Sequence, residues 1–199
     1  MNIPAYTIFY RIRYARLLKT ASFRYQASFE ELSFEASRGL EQLHVLSLST
    51  GSYIRNGEAV LITGSAGCGK SFLASALGNQ ACRQGFSVFY FNMQKLLLRL
   101  KVSRIEGNTI RFFDKLSKTD LIILDDFGLS SMEKQQQLDF MEIIEDRHAR
   151  KATIIVSQLP VVNWFDVFSD ETLADAIIDR IIHTAHRFEL KGESLRKKR

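Results

Sequence analysis

A lysine and a hydroxyl, Lys70 and Ser71, close the run Gly64-Ser65-Ala66-Gly67-Cys68-Gly69-Lys70-Ser71, whose spacing suits a chain of phosphates. Its glycines let backbone N–H groups converge on phosphate oxygens, and a helix beginning there adds a favourable partial charge. Lys70 would reach the β- and γ-phosphates, and the Ser71 hydroxyl would ligate Mg²⁺. A second group lies 55 residues after Lys70, where the apolar run Leu121-Ile122-Ile123-Leu124 ends in Asp125-Asp126. Asp125 would hold the metal, mainly through water, since Mg²⁺ keeps much of its hydration shell. Asp126 would act as general base on an attacking water, if it stands within one water of the γ-phosphate. A pair of acids opening a surface loop would look the same in isolation. Ser157-Gln158 form a third group, able to touch both the γ-phosphate and that water, with Gln158 the stronger candidate. The alternative there is a polar strand end that meets solvent. Arg180 is the last candidate. Ile177, Ile178, Ile181 and Ile182 form an apolar helix face that turns it outward. It could complete a neighbour's site by spreading positive charge over a transferring phosphoryl group. The ordinary reading, favoured by the residues alone, is a surface ion pair with Asp179 or Asp175.

These groups need a frame, and the chain alternates apolar runs with helical patterns. Ala59-Val60-Leu61-Ile62 reads as a buried strand leading into the phosphate loop, with Phe72 to Leu77 as the helix after it. Further strands are expected at 87–91, 121–124, 153–156 and, shorter, 187–190, with helices at 93–102, 109–117, 133–147 and 172–183. Such continuously apolar strands, each followed by a helix, predict an α/β fold: a parallel five-stranded sheet flanked by helices. Ligands in these sheets bind beyond the C-terminal strand ends, where the phosphate loop and both acids fall. Before the first strand, residues 5 to 20 form a basic stretch with Ile8, Ile12 and Ala15 at helical spacing, and short helical pieces are expected at 29–32 and 40–44. The expected organisation is a basic N-terminal segment (1–50), a nucleotide-binding domain (51–190) and a basic tail (191–199).

At 199 residues, 46% hydrophobic and 25% charged, the chain has the size and composition of one α/β domain with modest extensions. No apolar run approaches the ~20 residues of a membrane span, and the start does not read as a signal peptide. Cys68 and Cys82 would sit about 20 Å apart along one helix, too far for a disulfide. Reduced thiols and no export signal predict a cytoplasmic location. Cys68, at a helix start beside Lys70, is a candidate for ready alkylation that bound nucleotide would block. The favoured reading is a small residue that simply fits the loop. The net charge of +5 is uneven: residues 1 to 25 hold five cations and no acid, and residues 191 to 199 hold five cations against Glu193. Basic ends on a mildly acidic body suit a polyanion such as nucleic acid, or are simply solvated termini. Lys95, Arg99, Lys101 and Arg104 could likewise neutralise phosphates, or form a solvated face over Leu96, Leu97 and Leu100. His183 and His186 have no other Cys or acid cluster near them, which argues against a metal site.

Together with Thr172-Leu173-Ala174-Asp175 before Arg180 and the ending Glu189 to Ser194, these features resemble one family. The chain is similar to the IstB-like helper ATPases of bacterial insertion sequences, relatives of the DnaC-like helicase loaders in the AAA+ superfamily. The resemblance runs from about Tyr14 to Arg199. Its most specific parts are Phe23-Arg24-Tyr25-Gln26-Ala27-Ser28, Leu124 to Leu129, Ser157-Gln158-Leu159-Pro160 and Lys191 to Ser194. It implies an AAA+ P-loop NTPase that binds ATP and Mg²⁺, assembles through its ATP sites on double-stranded DNA, and helps a transposase capture target DNA. By position Gly64 to Ser71 match the Walker A motif, Asp125-Asp126 Walker B, and Ser157-Gln158 the strand-end sensor. Arg180 matches an arginine finger supplied in trans, which outweighs the surface ion pair. Two departures stand out. Only 69 residues precede Lys70, where family members usually carry a longer helical region, and a truncated copy or misplaced start would account for that. No C-terminal lid with a second sensor arginine is evident. A helicase loader, a non-hydrolysing binding module and, more remotely, a small-molecule kinase remain as alternatives. No Asn-Lys-x-Asp guanine-reading segment occurs.

Overall fold

Each of the five apolar runs becomes a strand of one parallel sheet, here in a computed structural model that describes residues 5–34 and 38–195. The strands are β1 (Ala59–Gly64), β2 (Val88–Asn92), β3 (Leu121–Phe127), β4 (Ala152–Ser157) and β5 (His186–Leu190), in the order β2-β3-β4-β1-β5. Helices α1 (Ala5–Ala21), α2 (Gln42–Ser49) and α3 (Ser52–Arg55) precede β1. The others are α4 (Lys70–Arg83), α5 (Met93–Ile105), α6 (Thr109–Lys118), α7 (Lys134–Arg147) and α8 (Glu171–Ile182). Alternate strand residues point to opposite faces, so the runs divide between two cores. Val60, Ile62, Ile123 and Ile154 pack with Leu73 and Leu77 of α4, while Leu61, Ile122, Leu124 and Ile155 pack with Leu96, Phe140 and Ile177. The register sets Thr63 beside Ser157 and Asn92 beside Asp125, which aligns the polar strand ends along one edge.

The N-terminal stretch forms the expected helix, α1. Ile8 and Ile12 are 48% and 62% exposed, and Ala15 is exposed too, so the face they form is not the buried one. Tyr14, Leu17 and Leu18 pack against the core instead. Polar tips explain the choice: the Tyr10 hydroxyl donates to the Arg83 carbonyl (2.7 Å), Tyr14 to Asn79 Oδ1 (2.6 Å), and Arg13 to the Gly85 carbonyl (3.0 Å). An aromatic ring with a polar end can bury its body and still satisfy its hydroxyl at the end of α4. Of the basic tail, Arg196, Lys197, Lys198 and Arg199 lie outside the described residues, as do residues 1–4.

At the opposite edge of the sheet, α7 ends in Arg147, which is 1% exposed. Its guanidinium donates to the carbonyls of Thr119 (2.8 Å), Leu116 and Ala152 and to Thr153 Oγ1 (3.2 Å), tying α6 and the loop after it to β4. Arg147→Ala would leave several buried carbonyls without a donor, and is expected to destabilise the fold by about 3 kcal/mol or more. Urea unfolding midpoints measure this; a loss below about 1 kcal/mol would mean that water replaces the guanidinium.

Candidate nucleotide site

The phosphate loop leaves β1 through Gly64, at φ 141°, where an added Cβ would stand 2.2 Å from the Leu190 carbonyl oxygen. No other residue fits so close to the end of β5. Gly69, at φ 105°, turns the chain into α4, so the loop's backbone meets the positive end of that helix. Lys70 is only 7% exposed and donates to the carbonyls of Gly64 and Ser65, both at 2.7 Å. Leu195 donates its N–H to the Gly67 carbonyl at 3.0 Å, so residues 194 and 195 cross over the loop.

The two acids are separated by a bulge. β3 does not stop at Leu124 but runs on to Phe127, with its register to β4 shifted between those residues. Asp126 takes φ 61°, a left-handed conformation that turns successive carboxylates to different places. Asp125 stays inside at 1% exposure. Its Oδ1 accepts from Ser71 Oγ (3.1 Å) and from the Asp126 N–H (2.9 Å). Its Oδ2 accepts from Arg24 (3.1 Å) and from the Tyr90 hydroxyl. Asp126 Oδ2 accepts from the same Arg24 nitrogen (3.0 Å) and from Asn92 Nδ2 (2.8 Å). Burial works against the charge of Arg24, but its bond to Asp125 and the charges of both carboxylates hold its pKa above the ordinary arginine range. Burial, reinforced by Asp125, raises that of Tyr90, which keeps it a donor.

These side chains surround a pocket of roughly 400 Å³ that includes Arg24, Gly69, Lys70, Ser71, Asp126 and Gln158. A hydroxyl and a carboxylate oxygen 3.1 Å apart form a hard-oxygen pair of the kind that holds Mg²⁺ with most of its water retained, so Ser71 and Asp125 fit that ion.

The strand-end pair divides. Gln158 is exposed and lines the pocket, whereas Ser157 is fully buried. The Ser157 hydroxyl donates to the Phe127 carbonyl (2.8 Å) and accepts from the Leu159 N–H (3.0 Å), fastening the ends of β3 and β4. Arg180 is not brought to this pocket. It pairs with Glu145 at 2.6 Å, rather than with Asp175 or Asp179, beside Gly57, Ala59 and Thr153 at the start of the strands. Five residue steps along β1 separate that end from the phosphate loop, roughly 15–20 Å.

Cys68 does not offer the accessible thiol that its position suggests. It is 2% exposed, with its sulfur tucked against Gly64, so a reagent has no approach to it while the loop is formed. It fills the loop as a small apolar residue. Cys82 is also free and buried, and burial pushes its thiol up to about 12. His186 bonds Glu58 at 2.9 Å and His44 at 3.2 Å on the far side of β5.

Nothing in the sequence singles out Arg24, Tyr90 and Asn92 as site residues. In the sequence Arg24 is one of five N-terminal cations and part of a characteristic run. What brings it here is the packing of residues 23–27 along α4. Phe23 lies where a Cβ on Gly78 would come within 2.4 Å, and Asn79 Nδ2 donates to the Ala27 carbonyl at 2.8 Å. The signal was Gly78 in the middle of a helix, where glycine costs about 1 kcal/mol unless something packs against it.

Known proteins resemble this chain in sequence and in fold. A family profile described as IstB-like ATP binding protein matches residues 9–199. An insertion sequence ATP-binding protein of Sinorhizobium fredii, y4pL, is 42% identical over 94% of this chain and 77% of its own length. The IS21 ATP-binding protein of Pseudomonas aeruginosa is 29% identical over 91% of this chain and 68% of its own. Among solved structures, the DnaC helicase loader superposes with a TM-score of 0.68 at 21% identity, over 88% of this chain and 99% of that one. DnaA from Aquifex aeolicus bound to AMPPCP gives 0.72 at 22%, over 89% and 54%. Those two likenesses show that the α/β fold is shared.

Proposed function

The chain belongs to the family of IstB-like ATP-binding proteins of insertion sequences, and on that premise we propose that it is a DNA-dependent ATPase serving a transposase in target capture. One observation carries the reading: Asp125 meets Ser71 beside the phosphate loop, while the bulge turns Asp126 into the same pocket. The loop amides and Lys70 hold the phosphates of ATP, and Ser71 with Asp125 holds Mg²⁺. That ion, when bound, neutralises charge on the β- and γ-phosphates. Asp126 takes the proton of the attacking water, and Gln158 orients that water or touches the γ-phosphate. Arg180 lies too far from its own subunit's loop to act there, which suits a finger offered to a neighbour. Self-association through the ATP site follows from that role. The insertion-sequence names of the relatives favour a transposase as partner over a replicative helicase.

Duplex DNA would run along α5 and α6, where Lys95, Arg99, Lys101, Arg111, Lys115 and Lys118 are exposed. Arg104 does not belong to this surface, because it is drawn onto Asp139. Phosphate release from ATP is expected to rise with duplex DNA. Replacing Lys95 and Lys101 together by alanine should weaken DNA binding and lower its log–log salt slope by about 2, the contribution of two phosphate contacts. ATP affinity without DNA should not change. An unaltered salt slope would place the DNA elsewhere.

A further inference from the structure

We propose that Arg24 is a cation acting in cis on the terminal phosphate, which makes the pocket discriminate nucleoside triphosphate from diphosphate; this rests on the ATP-site reading above. A single guanidinium nitrogen, Nη1, bridges Asp125 Oδ2 (3.1 Å) and Asp126 Oδ2 (3.0 Å). The remaining N–H donors of Arg24 have no acceptor among the described residues, and the side chain is 39% exposed in the pocket that Gly69, Lys70 and Ser71 share. Its plane is therefore fixed at one corner and free to donate along the rest.

The two oxygens of Asp125 keep this compatible with a metal. Ser71 approaches Oδ1, whereas Arg24 and Tyr90 approach Oδ2. A metal on the Ser71 side leaves the arginine in place. Asn92 further fixes Asp126, and the Tyr25 ring lies 5.8 Å from the guanidinium carbon, so the arginine is held before any ligand arrives. Such preorganisation lowers the ordering cost of a charge-assisted bond to phosphate. The anchor also explains the location. In the sequence Arg24 follows Phe23, whose ring is wedged at Gly78 of the phosphate-loop helix, so the N-terminal segment and the nucleotide are mechanically joined. Diphosphate, engaged by the loop amides and Lys70, lacks the group that Arg24 would reach.

The test is titration of the full chain with fluorescent N-methylanthraniloyl ATP and ADP in Mg²⁺. Arg24→Ala is expected to weaken the triphosphate roughly 10- to 100-fold and the diphosphate by less than about 3-fold, the loss of one charge-assisted contact. Arg24→Lys should recover part of the difference, and Arg24→Gln, which retains a donor for the carboxylates, should not. Equal losses for both nucleotides, or no loss for either, overturn the proposal. Lys70→Ala in the same titration separates the two readings. If it leaves both affinities unchanged, the pocket is not the nucleotide site; if it weakens both while Arg24→Ala is silent, only the role of Arg24 fails.

Discussion

Asp126→Asn is expected to leave ATP and Mg²⁺ bound while phosphate release falls by about 10²- to 10⁴-fold, the usual loss for a general base. The substitution is well suited to this backbone. Asp126 sits at φ 61°, and asparagine is among the few side chains that tolerate the left-handed region. Asparagine also keeps an oxygen for Asn92 and for Arg24, so the bulge between Leu124 and Phe127 retains most of its ties. What is removed is a carboxylate able to take a proton. Asp125→Asn is a useful contrast, because Asp125 is 1% exposed and holds Ser71, Tyr90 and Arg24 at once. Its loss should weaken Mg²⁺-dependent nucleotide binding itself. Fluorescent-nucleotide titration with single-turnover phosphate release distinguishes the two variants. Turnover unaffected by Asp126→Asn would show that Asp126 is not the catalytic base; nucleotide bound without any turnover in the unsubstituted chain would leave a binding module.

Much of this site is legible because its parts are local. The phosphate loop is a contiguous run between an apolar strand and a helix, and the acids follow another apolar strand directly, so periodicity alone places both at one sheet edge. The bulge in β3 is less legible. Asp125 and Asp126 read as two residues beyond a strand, but Asp125 continues the ladder opposite Asn92 while Asp126 is thrown out of it. Non-local contacts are harder still. Arg24 is 101 residues from Asp125, and no spacing rule relates them. Its role depends on how Phe23 and Ala27 dock on α4, which is tertiary packing. The same applies to α1. The spacing of Ile8, Ile12 and Ala15 marks a helix but not its buried face, which Tyr14, Leu17 and Leu18 supply, with the Tyr14 hydroxyl bonded to Asn79 of α4. Ser157 is hard to read in another way: its type suits a phosphate contact, and the two backbone groups that its hydroxyl bonds at the strand ends are visible only in the fold.

Arg180→Ala is expected to bind ATP normally as a single subunit and to lose about 10³- to 10⁵-fold in turnover within the assembly, the span attributed to arginine fingers. Normal binding follows from position, since Arg180 lies beside Gly57 and Thr153 at the strand starts, remote from its own phosphate loop. Its pairing with Glu145 at 2.6 Å does not contradict a role in trans. The pair is between partly exposed groups, with Arg180 29% and Glu145 57% accessible, so exchanging it for a neighbour's phosphate costs little. The decisive measurement mixes two inactive variants. Lys70→Ala disables the site that a subunit owns, and Arg180→Ala disables the one it serves. In a mixed assembly some interfaces pair an intact loop from the Arg180→Ala subunit with an intact arginine from the Lys70→Ala subunit, and those interfaces should hydrolyse ATP. Activity that reappears on mixing and rises with total protein concentration requires a shared site. Mixtures as inactive as their components, with both variants still assembling on DNA, would return Arg180 to its surface ion pair with Glu145.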